Sequence, residues 1–144
     1  MYEQSDMPRK RTKLILDTNF WVSYLISDKL KYLDETILGT TVQLVFSEEL
    51  IEEFITVSQR EKFSKFFEKK DVEKLIELFS TFGIFYKTSS KITDCRDPKD
   101  NFLLNLAIDS KADFLATGDK DLLILKQIGK TKIITLNELE EILK

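Results

Sequence analysis

The groups in this sequence that could do chemistry are carboxylates. Asp17 directly follows the apolar run Leu14-Ile15-Leu16, and Glu53 lies in the stretch Ser47 to Phe54. Asp97 and Asp100 bracket Pro98-Lys99, and Asp119 and Asp121 flank Lys120 just after Gly118. An acid abutting a buried apolar run is a costly place for a charge. Two carboxylates about 5 Å apart at an effective dielectric near 20 repel by roughly 3 kcal/mol. Several of them in one pocket must therefore take up protons or hold a cation. Hard Mg²⁺ or Mn²⁺ suits an all-oxygen donor set. Such an ion can make hydroxide from water near neutral pH and can stabilise charge on a phosphoryl oxygen. Read this way, the acids point to metal-dependent hydrolysis of phosphodiesters.

The rest of the composition removes the competing chemistries. The 144 residues contain no histidine, so no Ser-His-Asp or Cys-His nucleophile system and no His-based zinc site can be written. Four glycines, at 39, 83, 118 and 129, are too scattered for a Walker loop or a dinucleotide fingerprint. The single cysteine, Cys95, cannot form an internal bridge and fits a reducing cytoplasm. The formal charge of −3 and the pI of about 5.2 argue against coating nucleic acid by bulk charge, but leave room for a local basic face. Hydrophobic residues at 42% and charged residues at 33% describe a folded domain. No apolar run is long enough for a transmembrane helix, and residues 1–13 have no apolar secretory core. A cytoplasmic protein with no membrane association is expected.

The elements that must position the acids alternate between strand and helix. Residues 1–12 are polar, carry Arg9-Lys10-Arg11, and read as a basic tail ahead of one domain at 13–144. Leu14-Ile15-Leu16 reads as a strand buried on both faces. Asp17-Thr18-Asn19 can cap a helix carrying Phe20, Trp21, Tyr24 and Leu25. A second helical stretch runs from about Leu30 to Leu38 and stops at Gly39. Val42 to Phe46 reads as strand two, and Ser47 caps a helix striped with Leu50, Ile51, Phe54 and Val57. Arg60 to Phe82 reads as charged and helical, with Gly83 as its C′ residue. Strand three is Ile84-Phe85-Tyr86. Asp97-Pro98 opens a helix with Asp at the cap and Pro at the first position. Phe114-Leu115-Ala116 is strand four, followed by a turn at Gly118 to Asp121 and a short helix. Lys132-Ile133-Ile134 is strand five, and Thr135-Leu136-Asn137-Glu138 is a capping box for the last helix.

This order implies a mostly parallel sheet with helices on both faces. Ligands bind such sheets beyond the carboxyl ends of the strands. Asp17, Asp119, the Asp97–Asp100 turn and Glu53 all reach that edge in the predicted topology. Each also has a plain structural use: Asp17 and Asp97 as caps, Asp100 as a helix-dipole partner, Asp119 or Asp121 as a cap, and Glu53 as one charge on a solvated face. Their convergence from four segments favours a site.

Four motifs, in order and spacing, resemble those of PIN-domain (PilT N-terminus) ribonucleases: Leu14 to Asn19; Ser47 to Phe54; Asp97 to Leu104 with Ala107; and Ala112 to Leu122. The resemblance runs from about Lys13 to the C-terminus. It implies a three-layer α/β/α sandwich around a five-stranded parallel sheet, cutting single-stranded RNA with one or two Mg²⁺ or Mn²⁺ ions. It further implies the toxin component of a bacterial toxin-antitoxin pair, with a cognate antitoxin partner and frequent homodimers. Carried over by motif position, the catalytic and metal-holding set is Asp17, Glu53, Asp100 and Asp119. Asp97 and Asp121 flank it, and Thr18, Asn19 and Thr117 support it. On this reading Asp17, Asp100 and Asp119 hold the cations, and Glu53 completes the shell or positions water. Water attacks phosphorus, and the 3′ oxygen departs in line. Arg60, Lys62 and Lys65, beside Phe63, Phe66 and Phe67, suggest a track for the RNA backbone; the plainer reading makes the phenylalanines core and the lysines their solvated back face. Two rivals stand: a PIN-fold binding module with little catalysis, and a phosphatase similar to the haloacid dehalogenases. The latter calls for an Asp where Asn19 stands.

Overall fold

In a computed structural model, residues 11–26, 41–95 and 97–143 are described. The helical stretch expected from Leu30 to Leu38 and most of the basic tail lie outside them. Strand β1 (Thr12–Leu16) leads through Asp17 into α1 (Thr18–Ile26), and β2 (Val42–Phe46) leads through Ser47 into α2 (Glu48–Ser58). Then come α3 (Glu61–Ser64), α4 (Lys69–Phe82) and β3 (Gly83–Phe85). A 3₁₀ turn at Pro98–Asp100 opens α5 (Asn101–Ser110). Next follow β4 (Phe114–Ala116), α6 (Lys120–Leu123), β5 (Gln127–Ile128), β6 (Thr131–Ile134) and α7 (Leu136–Leu143).

Helices flank one mixed, mostly parallel sheet in the order β3-β2-β1-β4-β6-β5. Among the described residues it has six strands, where five were expected. The additional one, β5, pairs antiparallel with β6 at the edge, Gln127 opposite Lys132 and Ile128 opposite Thr131. Gly129, at φ +55°, begins the two-residue link between them, and a Cβ there would press on Ile108. Five strands run parallel, so their carboxyl ends share one edge. Strands β2 and β3 lie on one side of β1, and β4, β6 and β5 on the other, so the winding reverses between β1 and β4. That reversal is where an open α/β sheet leaves a crevice.

The central strands are apolar because both faces are covered. Leu14, Ile15, Leu16, Leu44, Val45 and Leu115 are all fully buried. Aromatic rings tie the site-bearing elements together. Phe79 of α4 meets Trp21 of α1 at 4.6 Å, Phe46 of β2 at 4.4 Å and Phe54 of α2 at 5.7 Å between ring centroids. Helix α4 ends directly on β3, and Gly83 is extended (φ −95°, ψ 158°). Gly83 does end the helix as expected, its N–H donating to the Phe79 carbonyl, but without the left-handed conformation that favours glycine. A Cβ would lie 2.5 Å from the Phe46 ring, so the residue is small for lack of space. The stretch from Arg60 to Phe82 is two helices with a break at residues 65–68. Strand three is placed one residue earlier than its expected span. Among the described residues no helix is long and apolar enough to cross a membrane.

Candidate active site

At the carboxyl edge, Asp17 bridges the two central strands. Its N–H donates to the Ala116 carbonyl at 3.2 Å. Its Oδ1 accepts from the Phe20 N–H at 3.1 Å, so Asp17 does cap α1. Its Oδ2 accepts from the Thr117 hydroxyl at 2.5 Å. The Thr117 Oγ1 in turn accepts from the Asp119 N–H at 3.0 Å, so one hydroxyl fixes both the β1 and the β4 acid. Asp119 also caps α6, its Oδ1 accepting from the Asp121 N–H at 2.8 Å.

Helix α2 brings the third segment. Ser47 accepts from the Leu50 N–H at 3.2 Å, as its position predicts. Phe54 is fully buried, which fixes the helix roll and leaves Glu53 half-buried at the rim. Glu53, Val57 and Arg60 follow one another at i, i+4 and i+7, and all three line the same cleft. The fourth segment is the 3₁₀ turn. Asp97 caps it by accepting from the Lys99 N–H at 3.1 Å, with Pro98 next, and the turn carries Asp100 to the cleft.

Asp17, Glu53, Asp100 and Asp119 thus line one cleft of about 120 Å³, together with Thr18, Asn19, Val57, Arg60, Phe102 and Leu103. Asp97 and Asp121 stand outside its lining; Asp97 is a cap whose charge still reaches Asp100. Thr117 acts on the cleft through Asp17 and Asp119. Of the three basic residues singled out, Arg60 reaches the cleft. Lys62 and Lys65 are not among its lining and lie over the Phe63 and Phe66 rings at 4.9 and 5.3 Å. Phe66 is 56% exposed, so the reading of all three phenylalanines as core does not hold for it.

The electrostatics are those of crowded acids. Burial pushes the Asp17 carboxyl above its ordinary range, against the Thr117 hydroxyl and the Phe20 N–H, which hold it down; the charge of Asp119 adds to the rise. Asp100 is pushed up to about 7, first by burial, then by a hydrogen bond with Asp119 and its charge, then by Asp97 and Asp17. Near neutrality Asp100 therefore keeps its proton for part of the time.

Residues 13–121 match the sequence profile described as the PIN domain. The chain belongs to the PIN domain family. It is also 28% identical over 133 residues to an uncharacterized protein of Methanocaldococcus jannaschii, covering 86% of this chain and 81% of that protein. PIN domains are in general metal-dependent nucleases, and this PIN domain carries the mostly parallel α/β sheet expected of the fold.

The donor set fits a hard divalent cation in kind. Four carboxylates line the cleft, and Thr18, only 7% exposed, lines it too with an Oγ1 that is buried and has no hydrogen-bond partner. Among the described residues no three acids already form a ready metal cage. The carboxylates surround the cleft without closing on one point.

Sequence reasoning missed the polar residues next to this cleft on the α7 side: Ser23, Thr135 and Asn137. No motif marks Ser23, and Thr135 and Asn137 lie in a stretch whose evident use is the capping box of the last helix.

Proposed function

We propose that this PIN domain is a Mg²⁺- or Mn²⁺-dependent endoribonuclease acting on single-stranded RNA. One observation carries the reading: acids from four separate segments line a single cleft at the sheet's switch point, where burial, and after it the neighbouring acids Asp119, Asp97 and Asp17, push Asp100 toward neutrality. A retained charge conflict of this kind is relieved by a divalent cation, and such perturbed acids mark functional sites. Asp17, Asp100 and Asp119 would hold the metal, with Glu53 completing the shell or orienting water. The metal, when bound, polarises a phosphoryl oxygen and lowers the pKa of water.

The protein's own groups do the rest. Thr117 locks the Asp17 carboxylate and the Asp119 backbone in one arrangement, so neither needs to reorganise when charge develops on the phosphate. Thr18 offers its unused hydroxyl inside the cleft. Arg60, at the cleft wall, supplies the positive charge that a phosphate entering an acidic pocket needs. The four motifs' resemblance to toxin components further supports a role as the toxin of a toxin-antitoxin pair, held in check by a cognate antitoxin.

The test is incubation of single-stranded RNA with the protein in Mn²⁺ and in EDTA, alongside Asp17→Asn. Cutting that requires Mn²⁺ and is lost in the variant is expected. Equal cutting under both conditions, or full activity in Asp17→Asn, overturns the reading. The acids that surround the cleft without forming a cage favour the second reading, a binding module with little turnover. RNA binding by calorimetry with no metal uptake and no cutting would establish that one. Regulated expression tests the toxin role: growth should stop only when all four acids are intact.

A further inference from the structure

A second cleft, of about 300 Å³, adjoins the acidic one across Asp17 and Asn19, which line both. Its other walls come from the ends of β4 and β6 and from the two helices beside them: Phe20 and Ser23 of α1, Ala116 closing β4 with Thr117 and Gly118 after it, and Thr135, Leu136 and Asn137 at the start of α7. Four properties define what it can take. Apart from Asp17 its lining carries no charge, so it suits a neutral group and disfavours a phosphate. Phe20, Ala116 and Leu136 give it an apolar, partly aromatic wall. Asn19, Ser23 and Asn137 line it with side chains that make no hydrogen bond among the described residues. Gly118 leaves it roomy, since a Cβ there would meet nothing within 4 Å.

A flat, neutral ring with an apolar face and a rim of donors and acceptors matches these walls. That is a nucleobase, which proteins hold by stacking on apolar and aromatic surface and by hydrogen bonds to its edge. The volume is at the lower end of small-molecule sites, which run from about 300 to 1,000 Å³. We propose that this cleft is a nucleobase subsite, seating the base one sugar away from the phosphate held at the acidic cleft. The assignment rests on the nuclease reading for the phosphate's position, but the pocket's chemistry stands on its own walls. In the chain's work it separates the two halves of a nucleotide: the charged half goes to the acids and Arg60, and the neutral half goes to the asparagines. Asn137 and Ser23 then influence which base stands beside the cut.

The experiment titrates adenosine, cytidine, guanosine and uridine into the ¹⁵N-labelled, metal-free full chain and follows amide shifts. A nucleoside carries no phosphate, so the result does not depend on metal or on cleavage. Saturable shifts at Ser23, Gly118 and Asn137 are expected for at least one nucleoside. Asn137→Ala should weaken that binding about 2- to 10-fold, the size of one or two hydrogen bonds. Gly118→Leu should abolish it by filling the space while the rest of the spectrum stays folded. No saturable shift at these amides with any of the four nucleosides overturns the proposal, as does unchanged binding in Gly118→Leu. A parallel RNA digest in Mn²⁺ keeps the two readings apart. RNA cut while the amides stay still leaves the nuclease and removes the subsite. Nucleosides bound here while no RNA is cut leaves the subsite and removes the nuclease.

Discussion

Replacing Asp100 with Asn should make the metal-free protein more stable at pH 8 and remove its stabilisation by Mg²⁺ or Mn²⁺. The sign follows from proton linkage. In the folded chain the Asp100 carboxyl titrates near 7, against 3.8 ordinarily. Below 3.8 both folded and unfolded chains are protonated. Between 3.8 and 7 the folded chain keeps a proton that the unfolded chain has released, so stability falls as pH rises through that window and is flat above it. A rise of that size corresponds to about 4 kcal/mol in full. Asp100 keeps contact with solvent, so about half of that, ~2 kcal/mol, is the working figure. For a chain of this size it converts to about 4–8 °C in Tm.

The assay is thermal unfolding followed by circular dichroism, in EDTA, at pH 4.5 and pH 8. Wild type should lose stability between the two, and Asp100→Asn should not follow it. Saturating Mn²⁺ at about 100 times its dissociation constant should then raise wild-type stability by about 2.7 kcal/mol, and the variant should gain much less. A variant less stable than wild type at pH 8 in EDTA would show that Asp100 is a structural partner of Asp119. An equal gain from Mn²⁺ in both proteins would show that Asp100 holds no cation. Either result refutes the reasoning.

Thr117→Val keeps the side chain's shape but removes the hydroxyl between Asp17 and Asp119. Steady-state kinetics on single-stranded RNA should show kcat down about 10- to 100-fold, with the fold unchanged by circular dichroism. Arg60→Ala removes the basic group at the cleft wall, so KM should rise while the salt dependence of RNA binding loses about one charge, as read by fluorescence anisotropy at several NaCl concentrations. Gly83→Ala drives a Cβ to 2.5 Å from the Phe46 ring and 2.7 Å from the Phe79 carbonyl oxygen, both held in the aromatic cluster. Urea unfolding should show a loss of about 1–3 kcal/mol.

How far the sequence could be read depended on whether a feature is local. Caps are local, so Ser47, Asp97 with Pro98, and the Thr135–Glu138 box sit where their side chains meet amides two or three residues away. Buried parallel strands are nearly local too, since Leu14-Ile15-Leu16 can only be covered on both faces. Strand β5 was not legible because two residues at a sheet edge carry no periodicity; Gly129, in the link to β6, is a local sign of the hairpin. Gly83 ends α4 where expected, but the reason it must be glycine is not local. A glycine after a helix usually answers a backbone need, and here the need comes from Phe46, 37 positions away, which no pattern around residue 83 can reveal.

The site divides along the same line. Once strands and helices are in order, right-handed crossovers fix which edge each acid reaches, so the position of Asp17, Glu53, Asp100 and Asp119 around one cleft follows from topology. Their mutual state does not. Asp100 is driven toward neutrality by its burial and then by its hydrogen bond with Asp119, and both central-strand acids depend on a single hydroxyl at Thr117. Those are differences of a few ångströms between side chains that no local pattern fixes, and the place of Glu53 against Asp17 depends likewise on how Phe54 fixes the roll of α2 and how Phe79 clamps α1, β2 and α2 together. The aromatic cluster is therefore part of the chemistry at one remove. A change that loosens it moves Glu53 against Asp17 before it unfolds the chain. Phe79→Leu should consequently lose activity at temperatures where its circular dichroism is still native, and parallel loss of both would mean that the cluster serves stability alone.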